Sequence, residues 1–165
     1  MAYIMTDPVI GAQAFADVST TAKHNLLEKR RGTDSTSGGG DFVYVQASMA
    51  IVQYDAVVIK ANGKIIKTME TAYKSGVPAF AQIAFANDDY GWVLLNGKPL
   101  VRLTSGTDQN VPLYVNASDG VLSGATTSCV IRGLVAQTSV TTTVNAVTCI
   151  AQFPSFSWGA SLSQI

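Results

Sequence analysis

Side chains that could carry out chemistry are few in this chain and lie far apart. His24 is the single histidine, and Cys129 and Cys149 are the two cysteines. A zinc site needs about four ligands at suitable spacing, and these three residues do not provide one. A general base must be held within hydrogen-bond reach of its proton, and His24 lies in a polar leader that we expect to be loosely held. The sequence therefore predicts no catalytic residue, no metal, no cofactor and no enzyme activity.

The other candidates for chemistry are equally weak. Asp88 and Asp89 are adjacent, and neighbouring strand residues point to opposite faces, so we favour a solvated turn over an acid–base pair or a calcium site. The glycine run before Asp41 lacks the ending of a phosphate loop. Cys129 and Cys149 lie symmetrically about Ser139, so a hairpin turn there would place them opposite one another. We expect reduced thiols in the core.

From about Asp41 onward, the chain has the alternation and turn signals of an all-β domain. Asn62-Gly63 and Asn96-Gly97 each lie between apolar runs, which predicts two tight hairpins, and Asp119-Gly120 predicts a third turn. Two long Val/Thr-rich strands follow. Turn signals at intervals of about 8–12 residues are typical of a small β-barrel or sandwich. We therefore expect a β-barrel domain over residues 41–153.

Residues 1–40 form a polar leader with a different character. A cationic run is followed by a Gly/Ser/Thr string that has almost nothing to bury, which predicts an extended N-terminal docking arm. Ordering such an arm requires contacts that offset its entropy, and its apolar residues could supply them on a partner's surface. Its arginines suit bidentate contacts with acidic or carbonyl-rich surface. The candidate contact residues of this arm are Tyr3, Ile4, Phe15, Leu26, Leu27, Lys29, Arg30 and Arg31.

The overall composition argues against several classes of partner. Eleven basic residues balance eleven acidic ones, so steering towards nucleic acid or an anionic membrane is not expected. No apolar run approaches the roughly 20 residues of a membrane span, and the N-terminus does not have the pattern of a signal peptide. Only 13% of the residues are charged, and a surface with so few charges is poorly soluble by itself. This composition favours a protein whose surface is largely covered by partners.

The C-terminal part is free of charge. No Asp, Glu, Lys or Arg occurs from Gly133 to Ile165. Charge depletion with aromatic enrichment is typical of an interface core, but strands packed in the core of their own barrel would have the same composition. Both interpretations stay open. The candidate intersubunit contacts are Phe153, Phe156 and Trp158, and we expect residues 154–165 to form a C-terminal tail.

Two short motifs stand out, one in the leader and first strand and one in a later strand. Their residues are Leu27, Arg31-Gly32-Thr33-Asp34, Gly38, Gly40-Asp41-Phe42 and Tyr44, and then Tyr90-Gly91-Trp92. They resemble motifs of the small capsid decoration (cement) proteins of tailed bacteriophages. In that family a leader of the type Leu-Gly-x-x-x-Arg-Gly-Thr-Asp-x-x-x-Gly-x-Gly-Glu-Phe-x-Tyr precedes a β-barrel, and a Tyr-Gly-Trp strand opens a later hairpin. Asp41 replaces the expected Glu, and Glu28 replaces the Gly that follows Leu27.

The resemblance implies a structural virion protein on the outer surface of the phage head, made in the host cytoplasm. It implies a homotrimer that binds the major capsid protein and stabilises the shell by bridging neighbouring subunits. Deleting residues 1–40 would then leave a folded barrel that binds capsids poorly. An alternative is a trimeric tail or fibre protein that recognises a host glycan through Phe156 and Trp158. A third hypothesis, a small trimeric nucleotide hydrolase, lacks recognisable phosphate-binding loops in the sequence.

Overall fold

The computed structural model describes residues 3–6, 12–35, 37–68, 76–116, 120–125, 129–141 and 145–158. Across these residues there are thirteen strands and no helix, which confirms the predicted all-β class. The strands of the first sheet are β1 (Ile4–Met5), β2 (Val18–Ser19), β3 (Lys29–Asp34), β4 (Gly38–Ala47), β5 (Ala56–Ile59), β6 (Lys64–Lys67), β7 (Val77–Phe80) and β8 (Tyr90–Asn96). Those of the second are β9 (Leu100–Leu103), β10 (Pro112–Val115), β11 (Leu122–Ser123), β12 (Cys129–Ala136) and β13 (Asn145–Trp158).

Both sheets close on themselves. The first has the order β1-β3-β4-β6-β5-β7-β8-β2, and an additional pairing of β4 with β8 closes a ring of five strands. The second is a closed barrel with the order β10-β11-β9-β13-β12. The barrel predicted over residues 41–153 is thus two closed sheets, and the chain passes from one to the other between β8 and β9.

The two Asn-Gly turns predicted from the sequence have different outcomes in the structure. Asn62-Gly63 connects β5 to β6 as predicted, with Gly63 at a φ of 76° and the Lys64 N–H donating to Asn62 Oδ1. The hairpin predicted at Asn96-Gly97 is wrong, because β8 and β9 belong to different sheets. Gly97 instead exchanges two backbone hydrogen bonds with Ala151 of β13, at 2.9 and 2.8 Å. A partner distant in sequence overrides the local turn signal.

The strand β4 is buried on both faces. Val43 and Val45 contribute to the apolar interior of the first closed sheet, whereas Phe42 and Tyr44 lie in a separate aromatic cluster with Trp92. A strand covered on one face alternates between buried and exposed residues, but residues 42–45 are all buried. Something must therefore cover the outer face of β4 and β8.

The leader provides that cover, which corrects the prediction of a separate arm over residues 1–40. The strand β3 pairs with β4 from Lys29↔Val43 to Asp34↔Gly38, β1 pairs with β3, and β2 pairs with β8. The domain boundary expected after residue 40 thus falls inside β4. Phe15 is only 5% exposed and stacks on Phe42 with a ring-centroid distance of 4.0 Å. The leader buries apolar surface that belongs to its own chain.

The glycines that suggested a flexible string have a packing role. A Cβ atom at Gly32 would lie 2.6 Å from the Phe15 ring, and one at Gly40 would lie 2.7 Å from Leu94. Because real Cβ atoms do not approach other heavy atoms so closely, these positions admit only glycine without a local shift. The string is therefore part of a β3–β4 hairpin whose glycines make room for the aromatic cluster.

The C-terminal boundary also differs from the prediction. β13 extends from Asn145 to Trp158, so the tail expected from residue 154 begins inside a strand. The register of β13 against β12 shifts between Arg132↔Ser155 and Leu134↔Ala151, which places three residues of β13 opposite Gly133. This irregularity is a β-bulge, and Phe153 lies at its centre.

Candidate interaction groove

A surface groove of about 610 Å³ lies where the β3–β4 hairpin meets β13. It is lined by residues from both ends of the chain, among them Lys29, Arg30, Arg31, Asp41, Asn96 and Phe153. Four of these six residues were predicted as contact residues from separate features of the sequence. The passage of the chain at Asn96-Gly97 brings them together, because it joins the first sheet to β13.

Phe153 is the most prominent side chain of this groove. It is 85% exposed and its φ is 47°, in the left-handed region that bulky residues rarely adopt. The bulge also constrains the opposite strand, since any Cβ at Gly133 would collide with the carbonyl oxygen of Gln152. An exposed aromatic ring held in a strained backbone conformation is the kind of outlier from which a functional hypothesis can start.

A polar relay fixes the backbone of Phe153. Its N–H donates to Asn96 Oδ1 at 2.8 Å, and Asn96 Nδ2 donates to Asp41 Oδ2 at 3.1 Å. Arg31 Nε donates to the other oxygen of Asp41 at 3.2 Å. The position of Phe153 is therefore coupled through two side chains to the cationic strand β3. Sequence reasoning missed the relay because Asp41 and Asn96 carry no local signal of partnership.

The three cations of β3 differ in their surroundings. Arg30 Nε donates to Glu28 Oε1 at 2.7 Å, so Arg30 is engaged within its own strand segment. Arg31 is 80% exposed and meets Asp41 through Nε. Lys29 is exposed, and no ion pair joins it to another described residue. Lys29 and Arg31 are thus the cations that the groove offers to a partner.

Comparison with known proteins gives no family assignment. Neither a protein-family model nor a curated protein matches this chain. The described residues include no helix long and apolar enough to cross a membrane.

The other predicted contact residues of the leader divide into two groups. Phe15, Tyr3 and Leu26 pack in or against the aromatic cluster of the first sheet, where they contact their own chain. Ile4 and Leu27 remain exposed, and Leu27 has a positive φ of 68°. Phe15 is buried and cannot be reached by a partner, whereas Tyr3 and Leu26 are half-buried.

The aromatic residues predicted at the C-terminal end also differ from one another. Phe153 is exposed, whereas Phe156 is half-buried against the core of the second sheet. The backbone of Trp158 pairs with Cys129 at the end of β13, and its side chain lies outside the described residues. Phe153 is therefore the exposed aromatic residue that these predictions located.

His24 fastens the leader to the first sheet, contrary to the loosely held position expected for it. The Gln13 N–H donates to His24 Nε2 at 3.0 Å, and the imidazole ring packs 5.0 Å from both Tyr44 and Trp92. Trp92 Nε1–H in turn donates to the Gln13 carbonyl oxygen. In the part of the chain that the structure describes, no three His, Cys, Asp or Glu residues are grouped to hold a metal.

The cysteines do not face one another across the β12–β13 hairpin. Cys129 pairs with Trp158 and Cys149 pairs with Ala136, because the register is not centred on Ser139. Both thiols are free and buried. Burial raises the pKa of Cys149 to about 12, and burial also raises the pKa of Cys129. A thiol that stays protonated is a poor nucleophile.

We therefore expect both cysteines to resist alkylation by iodoacetamide in native protein at pH 8 and to react in unfolded protein. Mass spectrometry measures the extent of alkylation. An unfolded thiol loses its proton at about pH 8.5. The raised pKa of Cys149 thus contributes stability that is fully present below about pH 8.5 and is lost as the pH rises towards about 12. Rapid alkylation of Cys149 in folded protein would contradict its burial.

Proposed function

We propose that this protein is a structural component of a phage virion that binds the outside of the head and bridges neighbouring major capsid protein subunits. The observation that carries the proposal is the exposed, strained Phe153 beside the exposed cations Lys29 and Arg31 in one groove. Binding energy at protein interfaces concentrates in a few aromatic and arginine residues. The groove has both kinds of residue.

The resemblance to capsid decoration proteins supports the same proposal. Apart from Leu27, its matching positions lie in the β3–β4 hairpin and in β8, which contribute residues to the groove and to the aromatic cluster. Gly32 and Gly40 of the motif make room for Phe15 and Leu94. The motif thus specifies the hairpin that presents Arg31 and holds Asp41 in the relay.

The mechanism is the addition of contacts across the seams of the shell. A protein that binds the assembled shell but not its separated subunits stabilises the shell by mass action. If three copies act as a trimer, their simultaneous contacts add avidity without a new type of contact. The leader contributes by building the groove, since its strand β3 carries Lys29 and Arg31 and Phe15 anchors it to the first sheet.

The test mixes purified protein with expanded heads that lack outer proteins. We expect saturable binding and a higher temperature of head rupture, measured by sedimentation and by release of packaged DNA on heating. Heads that neither bind the protein nor gain heat resistance would overturn the proposal. Binding of the protein to virion tails or to host glycans, but not to heads, would favour the alternative function.

Replacing Phe153 with asparagine is expected to separate stability from binding. Asparagine tolerates positive φ far better than phenylalanine, so Phe153→Asn should raise the free energy of unfolding by about 1 kcal/mol. The same change removes the exposed ring and should weaken head binding by about tenfold or more. Chemical denaturation and head sedimentation measure the two effects.

The matched control for Phe153→Asn is Val52→Asn, because Val52 is an exposed apolar residue that does not line the groove. It should leave head binding unchanged. If Phe153→Asn binds heads as well as the unchanged protein does, the ring is not an anchor and the groove loses its assigned role.

A further inference from the structure

We propose that the groove binds an extended segment of the partner protein in which a carboxylate side chain lies beside an apolar side chain. The inference rests on the proposed function in one respect, since it takes the partner to be a protein of the phage head. It goes further by naming the chemistry that the groove recognises. The carboxylate would meet Lys29 and Arg31, and the apolar side chain would meet Phe153.

The charge of the groove favours a carboxylate. Its lining has three cations, Lys29, Arg30 and Arg31, and one carboxylate, Asp41, so its formal charge is 3 − 1 = +2. The whole chain has a net charge of zero, so this positive charge is local. Arg30 is already paired with Glu28, which leaves Lys29 and Arg31 to attract an acidic group.

The arrangement of the two cations suits one acidic side chain. Lys29 and Arg31 are two residues apart on β3, so their side chains leave the same face of the strand about 7 Å apart. Arg31 meets Asp41 through Nε, and at 80% exposure its terminal nitrogens remain accessible. A guanidinium with accessible terminal nitrogens can form charge-assisted bonds with a carboxylate, and an ammonium next to it adds a second charge.

The apolar part of the groove lies beside these cations. Phe153 is 85% exposed and Val77, which opens β7, is 47% exposed, and both line the groove with the buried Pro154. A single apolar side chain inserted against the ring and Val77 would remove this surface from water. The pairing of a positive and an apolar subsite therefore selects an extended segment with an acidic and an apolar residue two positions apart, because such residues leave the same face of the chain.

A protein segment fits this groove better than a nucleic acid. Single-stranded nucleic acids are bound by positively charged grooves with a series of aromatic residues for successive bases. Here one aromatic residue is exposed in the groove, and Asp41 places a carboxylate between Arg31 and Asn96. That carboxylate would repel the successive negative charges of a phosphate backbone. A single acidic side chain could bind at Lys29 without contacting Asp41.

The test uses two synthetic peptides of nine residues, one with the repeat Leu-Ser-Glu-Ser and one with the repeat Leu-Ser-Gln-Ser, so that Leu and the acidic or amide residue leave the same face of an extended chain. Titration into isotopically labelled protein should shift the amide signals of Lys29, Arg31 and Phe153 with the Glu peptide. We expect its affinity to fall about tenfold in the Lys29→Gln, Arg31→Gln double variant, and to fall with added salt. The Gln peptide should bind the unchanged protein about tenfold more weakly than the Glu peptide.

Lys23→Gln is the matched control, because Lys23 is an exposed lysine that does not line the groove. It should bind the Glu peptide like the unchanged protein. No shift at millimolar peptide, equal affinity for the two peptides, or tighter binding of a single-stranded DNA oligomer at the same amides would each overturn the inference.

Head binding distinguishes this inference from the proposed function. If heads bind the protein but bind the double variant equally well, the carboxylate inference fails and the proposed function stands. If heads do not bind at all while the Glu peptide does, the groove chemistry stands and the proposed function fails. Carbodiimide coupling adds a direct readout, since Lys29 should cross-link to an acidic residue of a head protein and Lys29→Arg should not.

Discussion

Replacing Phe15 with alanine is expected to lower the free energy of unfolding by about 3–5 kcal/mol, the usual cost of truncating a buried aromatic residue. Phe15 stacks on Phe42 and meets the Trp92 ring edge-on at a centroid distance of 5.4 Å. Removing its ring leaves a cavity beneath Gly32, whose backbone approaches the ring too closely for any Cβ. Denaturation in urea, followed by tryptophan fluorescence, measures the loss.

The chain supplies a matched control for this change in Phe153. Phe15 is 5% exposed and Phe153 is 85% exposed, so the two residues have the same side chain in opposite environments. Phe153→Ala should alter the free energy of unfolding by no more than about 0.5 kcal/mol. Phe15→Ala should keep head binding in whatever fraction remains folded. Equal destabilisation by the two substitutions would contradict the assignment of Phe15 to the core.

The same contacts change the expectation for deletion of residues 1–40. A free arm could be removed without harm, but this segment covers Phe42, Tyr44, Trp92 and Leu94, which are at most 1% exposed. Deletion would expose these residues on one face and would remove β3 from the edge of β4. The truncated protein is therefore expected to aggregate or unfold, where the sequence alone predicted a folded barrel.

The composition of the leader misled the sequence-based prediction for a physical reason. A Gly/Ser/Thr string has little to bury itself, but Gly32 and Gly40 allow Phe15 and Leu94 to approach the backbone. The composition of a segment shows how much apolar surface it can bury itself, but it does not show that its glycines allow other residues to pack against its backbone. A usable signal was present in the alternation Phe42-Val43-Tyr44-Val45, which is apolar on both faces and therefore requires a cover on each.

The two Asn-Gly turns show which features of the fold depend on local sequence and which depend on distant partners. Asn62-Gly63 was predicted correctly because its turn depends on the φ of Gly63 and on the Asn62 side chain. Asn96-Gly97 is also an Asn-Gly pair, but it does not form a hairpin turn. Gly97 forms hydrogen bonds with Ala151, and Asn96 forms hydrogen bonds with Asp41 and Phe153. No pattern near residue 96 encodes those partners.

The candidate groove was predictable in its members but not in their assembly. Arg31 was selected as an exposed cation, and Phe153 was selected from a charge-free aromatic segment. Their meeting depends on the crossing at Gly97 and on the bulge opposite Gly133, which are tertiary features. The sequence could therefore list the two kinds of contact residue without placing them in one site.

Replacing Asp55 with alanine is expected to lower the free energy of unfolding by about 3–5 kcal/mol, as when one partner of a buried ion pair is removed. Asp55 is fully buried, and its Oδ1 lies 2.7 Å from Arg102 Nη1 of the second sheet. Its Oδ2 accepts the Val52 N–H at 2.9 Å and lies 3.8 Å from Lys67 Nζ of the first sheet. The substitution would leave two cations and a backbone N–H without this acceptor.

A double-mutant cycle shows whether Asp55 couples the two sheets. Asp55→Ala with Arg102→Met should be less destabilising than the sum of the single changes, because the second substitution removes the orphaned guanidinium. Asp108→Ala, at an exposed carboxylate, should stay within about 0.5 kcal/mol of the unchanged protein. Additive effects would mean that the shared apolar cluster, in which Ala56, Val58 and Phe80 join the residues of the second sheet, holds the sheets together without the ion pair. A positive coupling would instead show that the ion pair between Asp55 and Arg102 helps to hold the two sheets together.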